Sequence, residues 1–310
     1  MNPPTTNKGG NTLTSIPEND GIPAVPQTSV DWLQFTVTWN DDEPVYEALA
    51  RALPPFSEFD TTAEHISPVR GYTDGLQLQT GKAYWHRTLR SQRVLIVLSG
   101  QDMEKTRRAN ISDVTILDWV IMRDHRVTRI DLALDLHNWG AKPHDLIDWS
   151  NDHKLETPAH HIASFMSTEL VPADRRKSET VYVGSSSSDR QLRCYDKAAE
   201  RGVPGDWIRL EMVLRADRAR VFVASITHRN LEASILAIMR DFVLVRGTWL
   251  SRATEGIAVE MLPIPRKAGN REKWLLTQVL KALENELEME SKEGRATVYD
   301  AFTDLLAKFY

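Results

Sequence analysis

Three short segments carry polar groups in a pattern that could act on phosphate. In Arg129-Ile130-Asp131-Leu132-Ala133-Leu134-Asp135, charged and apolar residues alternate. On a β-strand this puts Arg129, Asp131 and Asp135 on one face and Ile130, Leu132 and Leu134 on the other. By the same rule Arg209 and Glu211 share a face of the segment 208–213, and Arg193, Tyr195 and Lys197 share a face of the segment 192–197. If the three strands lie in one sheet, a single surface presents carboxylates, cations and a phenol.

That mixture suits phosphodiester chemistry. Two or three carboxylates can hold a hard divalent cation through oxygen ligands. Such a cation polarises the phosphate and neutralises charge developing on it, while Arg and Lys bind the remaining phosphate oxygens. A tyrosine hydroxyl, with an ordinary pKa of about 10, is a weak nucleophile and needs a nearby metal or cation to favour the phenolate. Attack would leave a 5′-phosphotyrosine and a free 3′-OH, conserving bond energy that a hydrolytic nuclease dissipates. The same alternation also describes an ordinary solvated sheet face with Arg–Asp and Arg–Glu pairs across strands, and a strand tyrosine can serve packing alone. Periodicity does not choose between these readings.

The elements that must position these groups are legible in outline. Val127–Leu136 reads as a strand, Thr180–Val183 and Gln191–Lys197 as a hairpin around the loop Gly184–Asp189, and Trp207–Leu214 as another strand. Further strands are expected at Val30–Val37, Leu76–Leu78, Ala83–His86 and Val94–Leu98. Helices are expected at Pro44–Leu53 and Asp113–Met122. The polar stretch near 150–175 reads as a helical or irregular connection. From about Ala216 the apolar residues fall at helical spacing, with a long helix over Glu272–Glu290. The expected fold is α+β: an antiparallel sheet with flanking helices, followed by a mainly helical C-terminal part. Residues 1–28, rich in small polar residues and prolines, read as a disordered tail. Residues 29–225 read as the catalytic domain, and 226–310 as a helical region for dimerisation or DNA recognition.

Composition narrows the classes. The chain has 310 residues, 41% hydrophobic and 26% charged, which is ordinary for a globular protein. A single cysteine excludes an internal disulfide and a thiolate metal cluster, and fits a reducing cytoplasm. No apolar stretch approaches the roughly 20 residues needed to span a bilayer, and the N-terminus does not read as a secretory signal. The net charge of −5 argues against a nucleic-acid partner only on its face. Segments 81–130 and 171–230 are each net basic, and acidic residues collect at Asp41–Glu47 and at Glu284, Glu286, Glu288 and Glu290.

Three segments together resemble the Rep_trans family of rolling-circle replication initiators, which includes plasmid initiators, filamentous-phage replication proteins and some conjugative relaxases. They are Val127–Asp135, the stretch from Glu179-Thr180-Val181-Tyr182-Val183-Gly184-Ser185 into Arg193-Cys194-Tyr195-Asp196-Lys197-Ala198-Ala199-Glu200, and Trp207-Ile208-Arg209-Leu210-Glu211. Val30-Asp31-Trp32-Leu33 and Leu98-Ser99-Gly100-Gln101 are weaker family features, and the resemblance spans roughly residues 30–225. It implies that Tyr195 is the nicking nucleophile, and that Asp131 and Glu211, with Asp135 less firmly, hold Mg²⁺ or Mn²⁺. It also implies that Arg193, Lys197 and Arg209 bind phosphate or activate the nucleophile. Glu200 matches in position without an assigned role. The implied partners are origin DNA (a hairpin or inverted repeat, single-stranded at the nick), a host helicase and polymerase, and a second copy in a homodimer. The implied setting is a bacterial cytoplasm, with no membrane.

Alternatives stay open at this point: a relaxase of the same family, a non-catalytic origin-binding regulator, and a hydrolytic metal-dependent nuclease. A disordered tail in place of an N-terminal DNA-binding extension favours the initiator over the relaxase. Smaller expectations follow from residue types. His160-His161 reads as surface, since adjacent histidines point to opposite faces. Cys194 should point into the core, Tyr182 should serve packing, and Ser185–Ser188 should form a loop near DNA phosphates. Trp85 and His86, with Arg87 and Arg90, could stack on or neutralise single-stranded DNA, or Trp85 could be core.

Overall fold

Nine segments of extended chain build one continuous antiparallel sheet. In chain order the strands of the computed structural model are β1 (Gln27–Thr38), β2 (Asp74–Gln77), β3 (Lys82–Trp85), β4 (Arg93–Leu98), β5 (Arg126–His137), β6 (Ile162–Thr168), β7 (Lys177–Val183), β8 (Arg190–Asp196) and β9 (Trp207–Arg215). Their spatial order is β2-β3-β4-β1-β5-β9-β8-β7-β6. Every neighbouring pair runs antiparallel. The structure describes residues 23–38, 64–69, 71–86, 93–123, 125–168, 177–226 and 230–255. The expected helices Pro44–Leu53 and Glu272–Glu290 lie outside the described residues, as do Arg87, Arg90 and residues 1–22 of the expected tail. Residues 23–26 precede β1 and are already tied to β5 and the turn after it: Ala24 N donates to His137 O at 3.0 Å, and Trp139 Nε1 donates to Ala24 O at 2.8 Å.

Seven helices are described: α1 (Gly100–Arg108), α2 (Asp113–Met122), α3 (Asp145–Asn151), α4 (Lys197–Arg201), α5 (Ala216–Ser225), α6 (Leu231–Phe242) and α7 (Trp249–Ala253). The α+β expectation therefore holds. The apolar face of the central strands forms the core. Val30, Ile130, Leu132, Leu134, Leu192, Cys194, Leu210 and Met212 are all fully buried. Helix α5 packs along β5 and β9, and α6 along β1 and β5. They bring Phe222, Ile235 and Met239, also fully buried, against this layer. Removing two faces of apolar side chains from water is the main stabilising term for such a layered fold.

Two expectations about elements are corrected. The stretch near 150–175, read as helical or irregular, contains the edge strand β6. Its residues 163–166 are exposed on both faces, so no buried alternation marks it. Lys197 does not continue β8. Asp196 caps α4, its carboxylate accepting from Ala199 N at 2.8 Å, and Lys197 is the first helical residue. Gly202, at φ +65°, ends this five-residue helix in the left-handed conformation that glycine takes without strain.

Candidate active site

Pairing settles the adjacency that the sequence leaves open. Strand β9 lies between β5 and β8, and the registers are Asp135↔Arg209 and Ala133↔Glu211 on one side, Tyr195↔Arg209 and Arg193↔Glu211 on the other. Directly opposed residues point to the same side of a sheet. Asp131, Asp135, Arg209, Glu211, Arg193 and Tyr195 therefore share the face opposite the core. Asp131, Glu211, Arg193 and Tyr195 line a cleft of about 780 Å³ on that face, together with Asp31, Trp32, Gly100, Tyr182, Lys197 and Glu200, while Asp135 and Arg209 lie buried outside its lining.

The polar groups form two linked clusters. In the first, Tyr195 Oη donates to Glu211 Oε2 at 3.2 Å, and Arg193 Nη2 bonds both Glu211 Oε1 and, at 3.2 Å, Asp131 Oδ2. Arg129 holds Asp131 from the other side, Nε to Oδ1 at 2.8 Å and Nη2 to Oδ2 at 2.5 Å. In the second, Arg209 forks onto Asp135, Nε to Oδ1 at 2.8 Å and Nη2 to Oδ2 at 2.7 Å, and its Nη1 reaches Asp31 Oδ1 at 2.5 Å. Trp207 Nε1 also donates to Asp135, at 2.6 Å. Lys197 joins the clusters. Its ammonium lies 3.5 Å from the Tyr195 oxygen and pairs with Glu200.

Burial sets the proton affinities. It pushes the Tyr195 phenol well above its ordinary value, an effect that Arg209 opposes and Glu200 reinforces. Burial, with the nearby Arg209 charge, lowers the Lys197 ammonium. Burial alone would also lower Arg209, but the Asp135 bonds and charge outweigh it and hold the guanidinium protonated. Cys194, on the reverse face of β8, is fully buried and its thiol is pushed up by that burial, so it takes no part in the cleft.

Asp131 and Glu211 offer the oxygen donors that a divalent cation takes. The side chains of Asp131 and Glu211 are only 1% and 4% exposed and converge on a single cationic nitrogen of Arg193. Two hard-oxygen donors meeting at one positive centre fit Mg²⁺ or Mn²⁺ at that place, given withdrawal of the guanidinium. Arg193 Nε is buried with no hydrogen-bond partner, so the guanidinium is not fully satisfied where it lies. Asp135 stands apart from the pair, since both its oxygens are taken by Arg209 and Trp207. Among the described residues, no three histidine, cysteine or acidic side chains converge as a metal cluster.

A model of the replication initiation factor family, Rep_trans, matches residues 125–294, more than half of the chain. The chain belongs to the replication initiation factor family. Its fold is similar to that of a rolling circle replication initiator protein from Geobacillus stearothermophilus, with a TM-score of 0.58 and 19% identity over 78% of this chain and 93% of that one. No curated protein matches the chain. The family match takes in β5 to β9, and so all of Asp131, Tyr195, Arg209 and Glu211.

Other residues of this replication initiation factor fall where the sequence only partly foresaw. Asp31 was visible merely as part of a weak family segment. The register jump from Val30 to Trp32 inserts it as the extra residue of a bulge, which aims its carboxylate at Arg209. Ser99, Gly100 and Gln101, the other weak segment, line the same cleft. Tyr182, expected to pack, faces the cleft and also packs edge-on against Phe165. His160 and His161 are exposed, as expected of surface residues. Trp85 is 4% exposed and belongs to the core.

Proposed function

We propose that this protein nicks one strand of its origin DNA through a 5′-phosphotyrosine on Tyr195, leaves a 3′-OH as primer, and later rejoins the displaced strand. The observation that carries the reading is the Tyr195 hydroxyl directed at the Glu211 carboxylate 3.2 Å away, with the Lys197 ammonium beside the same oxygen. A packing tyrosine has no need of a buried carboxylate and a buried cation at its hydroxyl.

The residues divide the work as follows. Glu211 takes the phenolic proton, which the burial-raised proton affinity of Tyr195 would otherwise retain. The phenolic oxygen then attacks phosphorus; the Tyr195 O–P bond forms, the P–O3′ bond breaks, and the departing oxygen takes a proton from solvent to become the 3′-OH. Lys197 stabilises negative charge at the phenol oxygen, Arg193 binds the phosphate oxygens, and the buried Arg209 guanidinium, engaged by Asp135 and Asp31, favours the phenolate through its charge. Asp131 and Glu211 would hold the divalent cation, whose contribution when bound is charge neutralisation on the phosphate. Asp135 orients Arg209 through two parallel bonds. Resealing is the same transfer reversed, with a 3′-OH attacking the phosphotyrosine.

The reading calls for origin DNA that is single-stranded at the nick, a host helicase and polymerase, a homodimer, and action in a bacterial cytoplasm. No helix among the described residues is long and apolar enough to cross a membrane. The test is a supercoiled plasmid carrying the origin, incubated with the full chain and Mg²⁺ or Mn²⁺ and examined for a covalent protein–DNA adduct. Wild type forms the adduct and Tyr195→Phe does not. Nicking without an adduct would establish a hydrolytic nuclease instead, and an adduct on Tyr195→Phe would overturn the assignment of the nucleophile.

A further inference from the structure

The ladder that carries the nucleophile continues past it to the sheet edge. Phe165 on β6 is opposite Thr180 on β7, Thr180 is opposite Tyr195 on β8, and Tyr195 is opposite Arg209 on β9. Phe165 therefore stands on the active-site face, two strand spacings from Tyr195, about 10 Å away. Only the small side chain of Thr180 lies between them in that row. One row along, Tyr182 is opposite Arg193 and lines the cleft. The Phe165 and Tyr182 rings meet edge to face, with centroids 5.8 Å apart and planes at 90°.

Phe165 is anomalous as a structural residue. It is 67% exposed, and among the large apolar side chains that stand exposed in the described residues it is the aromatic one. The exposed Phe165 ring stands near a cleft lined by Arg129, Arg193, Lys197 and Arg201 alongside six carboxylates. On the opposite side of the cleft the comparable aromatic is already engaged, since the Arg129 guanidinium lies 4.9 Å above the Trp32 ring. An exposed aromatic ring near cations that bind phosphate matches the recognition chemistry of single-stranded nucleic acid, in which bases stack on rings while the backbone follows positive charge.

We propose that Phe165 and Tyr182 form a stacking platform for the unpaired bases that flank the scissile phosphate, so that the DNA strand leaves the cleft over β7 and β6. The proposal rests on the nicking reading for the identity of the strand. Stacking tolerates any base, so the platform supplies affinity and positioning, and sequence choice is made elsewhere.

The test uses the full chain carrying Tyr195→Phe, which prevents covalent reaction, and fluorescence anisotropy with two labelled probes: a single-stranded oligothymidylate 12-mer, and an abasic 12-mer with the same number of phosphates. Adding Phe165→Ala weakens oligothymidylate binding by roughly 5- to 150-fold, the range for loss of one base–aromatic stack, and leaves the abasic 12-mer unchanged. Phe165→Trp restores the oligothymidylate affinity. Equal losses on both probes, or none on oligothymidylate, overturn the platform. A loss traced by sedimentation to dissociation of a dimer does so too, and would make β6 a contact between two copies. The covalent-adduct assay judges the nicking reading separately: with a functional platform but no nickase, the wild-type chain binds oligothymidylate better than the abasic probe yet forms no adduct.

Discussion

The Tyr195 hydroxyl and the Glu211 carboxylate face each other across the paired strands β8 and β9, 3.2 Å apart. Neither residue depends on a loop for its position. Each is held by ladder hydrogen bonds on both sides of its strand, so the phenol and the carboxylate that accepts its hydrogen bond are held by the sheet itself.

Glu211→Gln keeps the shape and the hydrogen-bonding reach of this side chain and removes its basicity. Single-turnover nicking is expected to fall by at least about 10²–10⁴-fold, the usual share of a positioned general base, since Glu211 also belongs to the pair proposed to hold the cation. Binding of single-stranded DNA should hold or tighten, because a negative charge has left the cleft. Weakened binding together with lost nicking would assign Glu211 to the architecture of the site instead.

Lys197 gives the pH dependence its sign. Burial and the Arg209 charge both disfavour its ammonium, so it loses its proton at lower pH than a free lysine. The cation beside the Tyr195 oxygen is present below that point and absent above it. The nicking rate is therefore expected to fall on the alkaline side, starting below the ordinary lysine value of about 10.4. Lys197→Arg, which stays charged throughout, should move that fall to higher pH. An identical profile for the two proteins would remove Lys197 from the chemistry.

Asp135 and Asp131 look alike in the sequence, two carboxylates on one face of one strand, yet the structure gives them different partners. Asp135→Asn breaks a buried two-bond pair with Arg209 and should cost roughly 3–5 kcal/mol of folding stability in urea denaturation. It should leave the Mn²⁺ concentration for half-maximal nicking unchanged. Asp131→Asn should raise that concentration. If Asp135→Asn shifted the metal requirement as strongly, Asp135 would belong with the metal-holding pair.

This contrast shows where sequence reading succeeds and stops. Alternation of charged with apolar residues in Arg129–Asp135 and Ile208–Glu211 identifies the polar face through the two-residue period of a strand, although the fold buries that face of both strands as well. Register is a different kind of information. That Arg209 stands opposite both Asp135 and Tyr195 depends on strand order, which no local pattern encodes. Asp31 was obscured because a bulge breaks the very period used to read the strand. Strand β6 was obscured because an edge exposed on both faces leaves no alternation to find. Lys197 reads as a strand residue because alternation in the segment 192–197 does not stop at the Asp196 cap.

Gly100 supplies a last test, of whether the bulge residue matters to the site. A β-carbon at Gly100 would lie 3.1 Å from Asp31 Oδ2 and 3.2 Å from both Asp31 Oδ1 and the Asp31 carbonyl. Gly100→Ala must therefore shift Asp31 by a few tenths of an ångström and disturb its 2.5 Å contact with Arg209 Nη1. The Asp135 pair still anchors Arg209, so unfolding free energy should change by no more than about 0.5 kcal/mol. Nicking should nevertheless fall on the order of tenfold, because catalytic positioning is sensitive to displacements well below 1 Å. Asp31→Asn should produce a loss of similar size. A silent Gly100→Ala alongside an impaired Asp31→Asn would show that the Asp31 charge matters and that its close fit against Gly100 does not.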